Sequence, residues 1–278
     1  MEVLVAENCG FCPGVRNAIR VAQEILAERG RVFSLGPVIH NKDMVDRLAE
    51  AGLVTVEDIE DVEEGTVLIR SHGAAPAQIE RLKERDLKIV DATCVLVKRL
   101  QHIARDLDEA GYKVVVIGDE NHPEIKAVVG CAKDVVVVGG EDDLDKLPKS
   151  GKFAVVGQTT LDPGFFADML GAIARHGFSE LRVVDTLCKE AQMRQKSAVE
   201  LCQRVDIMFV LGGLQSANTR RLAELCKKYN EQTFHLQNWR EFDKKILFGK
   251  KVAGVTAGAS TPEWIIAEFV ENLRDFEV

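Results

Sequence analysis

Short apolar runs alternate along the whole chain with longer stretches in which apolar residues recur every three or four positions. The runs VLVA, RVFSLG, TVLIRSHG, KVVVIG, DVVVVGG, FAVVGQTT, LRVVDTLC, IMFVLGG, TFHL and KVAGVTAGAS have the length and β-branched content of strands. Helical spacing fits Val15 to Arg29, with Val15, Ile19, Val21, Ala22 and Ile25 on one side. It predicts further helices near 44–51, 77–85, 95–110, 163–176 and 190–204, one from Arg220 and one from Pro262. A short helix is also expected after the NHPE loop and another after VVVVGG. In KIVDATC, Lys88 to Val90 and Ala92 read as the end of a short buried strand. Asp91 and Thr93 read as its polar turn, with a helix starting just after Cys94. Strands that alternate with helices in this way pair in parallel, so the pattern predicts an α/β fold.

A second regularity lies on top of the first. Cys12, Cys94 and Cys188, each at a strand-to-helix junction, are 82 and 94 residues apart. Gly36, Gly118 and Gly212, which end the runs FSLG, VVIG and FVLG, repeat the intervals 82 and 94. Four residues beyond these glycines stand His40, His122 and Ser216. A third polar loop closes each repeat, at His72 in SHGAAP, Thr159 in GQTT and Ser260 in TAGASTPE. The register predicts three similar α/β units in a trefoil-like, pseudo-threefold arrangement. Their expected bounds are 1–94, 95–188 and 189–278, with the N-terminal strand and the Cys12 loop reaching the centre.

Composition narrows the chemistry. A net charge of −8 and the lack of a Lys/Arg run argue against nucleic acid as a partner. The opening MEVLVAEN reads as a strand rather than a signal peptide, and no apolar run has the roughly 20 residues that span a bilayer. Seven cysteines in such a chain point to a reducing cytoplasm, where thiols serve metal or redox chemistry. In a parallel α/β unit, ligand groups lie beyond the carboxyl ends of strands, so the repeat is expected to bring Cys12, Cys94 and Cys188 together. Three thiolates at helix starts suit zinc or an iron–sulfur cluster of three or four irons, the latter leaving one iron open. Cys9 and Cys12 form a C-x-x-C pair like that of thiol oxidoreductases, but Cys12 belongs to the repeat and Cys9 does not. Cys131, Cys202 and Cys226 read as packing residues, and His102, His176 and His235 as structural. The loops supply His40, His72, His122, Thr159, Thr160, Ser216, Asn218 and Ser260, a donor set that suits an anion such as a diphosphate. Glu124 is the carboxylate embedded among them and the candidate proton donor.

Taken together, GFCPGVRNAI, LGPVIHN, IRSHG, VDATC, NHPE, QTT, the Cys188 loop with Arg194-Gln195, SANTRRL and TAGASTPEW resemble the 4-hydroxy-3-methylbut-2-enyl diphosphate reductase family, in order from residue 3 to about 270. The resemblance implies a [4Fe-4S] cluster on Cys12, Cys94 and Cys188 with one open iron. It implies diphosphate binding by His40, His72, His122, Ser216, Asn218 and Ser260, and proton delivery by Glu124 with Thr159 assisting. The implied reaction removes the allylic hydroxyl of the substrate, giving isopentenyl and dimethylallyl diphosphates in the methylerythritol phosphate route. Electrons are expected from ferredoxin or flavodoxin, and the protein is expected to be a cytoplasmic monomer. Val95 stands where the family usually has Pro, Glu190 and Ala191 depart from its Cys-x-Ala-Thr, Ala217 replaces a serine, and Cys9 is untypical. A paralogous iron–sulfur enzyme for another small anion, or a zinc or redox-sensing protein, are the alternatives.

Overall fold

The computed structural model describes residues 1–276. Among them, three four-stranded parallel sheets repeat one topology. The first has the order β3-β2-β4-β5, built from β2 (Val32–Leu35), β3 (Leu53–Val56), β4 (Thr66–Ile69) and β5 (Lys88–Asp91). The second has the order β7-β6-β8-β9, from β6 (Lys113–Ile117), β7 (Val135–Val138), β8 (Lys152–Gly157) and β9 (Glu180–Val183). The third sheet runs β11-β10-β12-β1, from β10 (Ile207–Leu211), β11 (Thr233–Leu236), β12 (Val252–Ala257) and β1 (Glu2–Val5). Its fourth strand therefore comes from the opposite end of the chain. Glu2 pairs with Val252 and Val5 with Val255, and the ladder extends to the Ala6 N–H, which donates to the Val255 carbonyl at 2.9 Å.

The chain divides into two compact bodies. One contains Met1–Arg16, Ile39–Glu50 and the described residues from Lys189 on, and is built on the third sheet. Strand alternation sorts its side chains. Ile207, Phe209 and Leu211 enter a core with Phe242, Phe269 and Leu273, the last two from α9 (Glu263–Asp275). Met208 and Val210 face Ala198, Cys202, Leu222 and Cys226 on α7 (Lys189–Cys202) and α8 (Ala217–Tyr229). The other body, Asn17–Val38 and Ala51–Cys188, holds the first two sheets. There Val115 and Ile117 of β6 pack with Phe153, Val155 and α6 (Pro163–His176). Val114 and Val116 pack with Leu100, Ala104 and Leu107 of α4 (Val95–Glu109) and with Ile125 and Val128 of α5 (Pro123–Val129).

Four details differ from the sequence pattern. Lys88–Asp91 is an edge strand with exposed ends rather than a buried one, because only β4 flanks it. Leu53–Val56 is a strand that the apolar pattern does not single out, and pairing with β2 sustains it. After VVVVGG the chain makes a 3-10 turn over Glu141–Lys146, since three consecutive acidic residues offer no apolar stripe to bury. α8 begins at Ala217, three residues before Arg220, because Ser216 caps it.

The β1–β12 ladder is testable. Ala6→Pro removes the N–H that bonds Val255 in a buried position and should cost roughly 1–3 kcal/mol. Urea unfolding measures it, and an unchanged midpoint would mean that β1 contributes nothing to the sheet.

Candidate active site

Each cysteine of the triad follows an edge strand, and each is tied by the same backbone bond. The Cys94 N–H donates to the Ser71 carbonyl at 3.0 Å, and the Cys188 N–H to Thr159 at 2.7 Å. The Cys12 N–H donates to Ala259 at 3.2 Å. The acceptors lie in the polar loops after β4, β8 and β12, so within each repeat the thiol and the loop donors form one structural step. Cys94 caps α4, and Cys188 immediately precedes α7. The Cys12 Sγ accepts the Val15 N–H at 3.4 Å, in the first turn of α1 (Pro13–Arg29). A helix start supplies unpaired N–H groups that a sulfur ligand can face. All three thiols are half-buried and none is in a disulfide, as a set of metal ligands requires.

In the first body, the loop after β12 packs on the loop after β10. Gly258 donates to the Leu211 carbonyl at 2.8 Å, and Thr261 Oγ1 donates to the same oxygen at 2.9 Å. Any Cβ at Gly258 would fall 2.0 Å from Thr219 Oγ1, so only glycine lets this loop sit against the first turn of α8. The His40 carbonyl meets Gly213 and accepts the Ser260 hydroxyl at 3.4 Å. Buried Ser216 accepts both the N–H of Thr219, at 3.3 Å, and its hydroxyl, at 3.0 Å. With its lone pairs engaged, the Ser216 hydroxyl is left as a donor. Asn218 is half-buried in the first turn of α8.

The second body holds the carboxylate of the histidine loops. Glu124 is 2% exposed on α5, and its two oxygens accept from Thr159: the N–H at 2.7 Å and Oγ1 at 2.9 Å. His122 caps α5, its Nδ1 accepting the Glu124 N–H at 3.2 Å. A neutral ring in that role carries its proton on Nε2, where it can donate. The His72 and His122 rings stand edge to face with centroids 5.2 Å apart. Thr160 is half-buried beside Thr159 in the turn that the Leu161 N–H closes on the Gln158 carbonyl.

The remaining thiols do not join this set. Burial pushes the Cys9 thiol up to about 11, only partly offset by the nearby Arg194 charge and a bond with Ala257. A thiol so protonated is a poor thiol–disulfide nucleophile. Cys202 and Cys226 are buried against each other between α7 and α8, and Cys131 is half-buried. His176 and His235 bond the Leu147 and Gly212 carbonyls, which are structural roles.

Three supporting residues receive no individual role from the sequence. Thr219 orients Ser216, Thr186 brackets Gly157 with bonds to its N–H and carbonyl at 2.9 and 2.6 Å, and Arg194 is buried with Nη1 on the Ala257 carbonyl at 3.0 Å. A Thr or Arg within a helix or loop carries no periodic signal. The QMRQK context marked Arg194 only as part of a motif.

The turns into Cys94 and Cys188 share one device. Asp91 Oδ1 accepts the Thr93 N–H at 2.9 Å, and Asp185 Oδ1 accepts the Leu187 N–H at 2.9 Å. Burial alone would raise the Asp91 carboxyl, but Lys98 and both Thr93 donors outweigh it and hold the group below the usual range. The Asp91 contribution is then fully present above the unfolded value of about 3.9 and is lost as pH falls through the folded one. Asp91→Asn should cost about 1 kcal/mol at neutral pH. Its deficit should shrink only in acid, as followed by urea unfolding across pH. A deficit that does not change with pH would remove the charge from this role.

The chain matches the family model described as LytB protein over residues 3–274. It is 43% identical over 274 residues to the 4-hydroxy-3-methylbut-2-enyl diphosphate reductase of Trichlorobacter lovleyi, with 98% of each chain covered. It is 40% identical over 278 residues to the protein of that name from Geobacter metallireducens, covering 100% of this chain and 98% of the relative. Among solved structures it resembles an (E)-4-hydroxy-3-methyl-but-2-enyl diphosphate reductase described as the terminal enzyme of the non-mevalonate pathway. That likeness has a TM-score of 0.73 and 36% identity, and covers 99% of this chain and 100% of the other. It also resembles the E-1-hydroxy-2-methyl-but-2-enyl-4-diphosphate reductase of Plasmodium falciparum, with a TM-score of 0.92 and 26% identity over 99% of this chain and 88% of that one.

Proposed function

The chain belongs to the LytB protein family, and we propose that it reduces (E)-4-hydroxy-3-methylbut-2-enyl diphosphate to isopentenyl and dimethylallyl diphosphates with Cys12, Cys94 and Cys188 as ligands of an iron–sulfur cluster. The observation that carries the reading is the threefold bond from each cysteine N–H to a polar-loop carbonyl, which couples a metal-binding thiol to a set of anion donors in every repeat. The donor chemistry fits a [4Fe-4S] cluster, since three thiolates leave a fourth iron for substrate. When bound, the cluster supplies electrons and a Lewis-acidic iron for the departing oxygen.

The chain's own residues hold the two ends of the substrate. His40, His72, His122, Thr160, Ser216, Asn218 and Ser260 present donors to the diphosphate. The Ser216 hydroxyl is left as a donor by the bonds that already engage its acceptor atom, and the His122 Nδ1 is held by the Glu124 N–H. Glu124, gripped through both oxygens by Thr159, delivers the proton that lets the allylic hydroxyl leave as water. Electrons reach the protein from a small redox carrier of the ferredoxin or flavodoxin kind. We place the reaction in the cytoplasm, a reducing compartment that keeps the cysteines as thiols; no helix among the described residues is long and apolar enough to cross a membrane.

Three of the departures from the family pattern lie in the first turns of helices. Val95 is the first residue of α4 and 77% exposed, a position open to Pro or to other residues alike. Ala217 is the corresponding first residue of α8, beside the intact Ser216 cap. Glu190 lies 3.7 Å from Arg194 one turn on, so its charge has a local partner.

Glu124→Gln keeps the shape and the hydrogen-bonding oxygen but cannot deliver a proton. Turnover of the hydroxylated diphosphate with reduced viologen should fall by at least about 100-fold, while iron content and visible absorbance stay at the wild-type level. Unimpaired turnover would remove Glu124 from the proton-donor role.

A further inference from the structure

We propose that a cavity of about 320 Å³ behind the His72 loop binds a small phosphate or diphosphate oxyanion through Arg70, Lys126 and Gln78. The cavity is lined by the strand ends at Gly36 and Arg70, by Gly73 and Gln78 at the start of α3 (Pro76–Glu84), and by Pro123 and Lys126 of α5. None of the cluster ligands or substrate donors assigned above lines it, although Gly73 and Pro123 directly follow His72 and His122 in the chain.

Arg70 carries the case. It is half-buried, and its guanidinium makes no hydrogen bond or ion pair with any described residue. Guanidinium groups taken out of water are normally paired, because the lost hydration must be replaced. Here the guanidinium faces space of ligand size instead. Burial pushes its pKa down despite the charge of Glu57, as expected for a cation whose solvation is incompletely replaced. The placement is specific: a Cβ at Gly36 would fall 2.5 Å from the Arg70 Nη1, so the absence of a side chain there leaves the guanidinium its seat.

The rest of the lining adds donors. Lys126 is exposed and has no carboxylate within ion-pair distance among the described residues. Gln78 accepts the Ala75 N–H on Oε1 at 3.0 Å, which leaves its amide nitrogen to donate. Two cations face one carboxylate, Glu57, so the pocket is locally positive on a chain of net charge −8. Its volume lies at the small end of the range for ligand sites. Arg is suited to gripping such an oxyanion through two parallel N–H bonds, with Lys as a point charge. The Arg70 carbonyl also accepts the Gly73 N–H at 3.0 Å, closing the turn that carries His72, so an occupant held by Arg70 bears on a loop of the active site.

Isothermal titration of the anaerobic, oxidised holoprotein with inorganic diphosphate tests this, first alone and then with the hydroxylated substrate saturating the active site. The site predicts about one equivalent bound that substrate does not displace. Arg70→Gln should weaken that equivalent by about tenfold or more, and the exposed Lys126→Gln, which leaves the fold alone, by several-fold. Turnover without added diphosphate should be unchanged in both variants. A parallel titration with inorganic phosphate shows whether one phosphoryl group suffices, and stronger binding of either anion supports the site. Complete displacement by substrate, or equal affinity in wild type and both variants, would overturn it. Failure of the substrate itself to bind would count against the reductase assignment alone, because the Arg70-dependent equivalent is read in its absence as well.

Discussion

The parallel pairing of β1 with β12 is the constraint on which the remaining arrangement depends. Without it the third sheet would lack the fourth strand that the other two possess, and Cys12 would have no edge strand to follow. With it, all three sheets have the same order, and the Cys12 N–H finds the Ala259 carbonyl as Cys94 finds Ser71 and Cys188 finds Thr159. The chain thus completes its last repeat with its first strand. Ladder bonds at Glu2 and Ala6 and half-buried contacts from Met1 and Val3 hold that strand in place.

The repeat accounts for a division of labour that one α/β unit could not supply. Each copy offers the same framework: a central strand ending in glycine, a neighbouring strand ending in a polar loop, and an edge strand leading to a cysteine at a helix start. The chemistry placed on that framework differs. The second copy carries Glu124 and Thr159, whereas the third has hydroxyl and amide donors at Ser216, Asn218 and Ser260. Divergence of the loops over a common scaffold leaves the cysteines at equivalent positions while the polar loop residues differ.

Much of this was legible in the chain because the informative residues lie at fixed steps. Cys12, Cys94 and Cys188, and the glycines ending FSLG, VVIG and FVLG, keep the same intervals, since each glycine follows its cysteine by the same 24 residues, a helix and the strand after it. Glu124 could be singled out because it is the carboxylate embedded in the histidine loops. Contacts made by tertiary packing could not be read. Thr219 looks like any helical threonine until Gly212 and Gly258 close on it. The exposed ends of Lys88–Asp91 follow from its edge position, which an apolar pattern does not encode. Arg70 reads as a strand-end arginine, and only the space beside it and the glycine that admits it distinguish it.

If the three repeats contribute equivalent ligands to one cluster, acid-labile sulfide in single cysteine variants will report it. Cys12→Ser, Cys94→Ser and Cys188→Ser, purified without air, should each lose most of their iron and sulfide, whereas Cys9→Ser should keep both at the wild-type level. Full sulfide in any of the first three, or its loss in Cys9→Ser, would contradict the assignment.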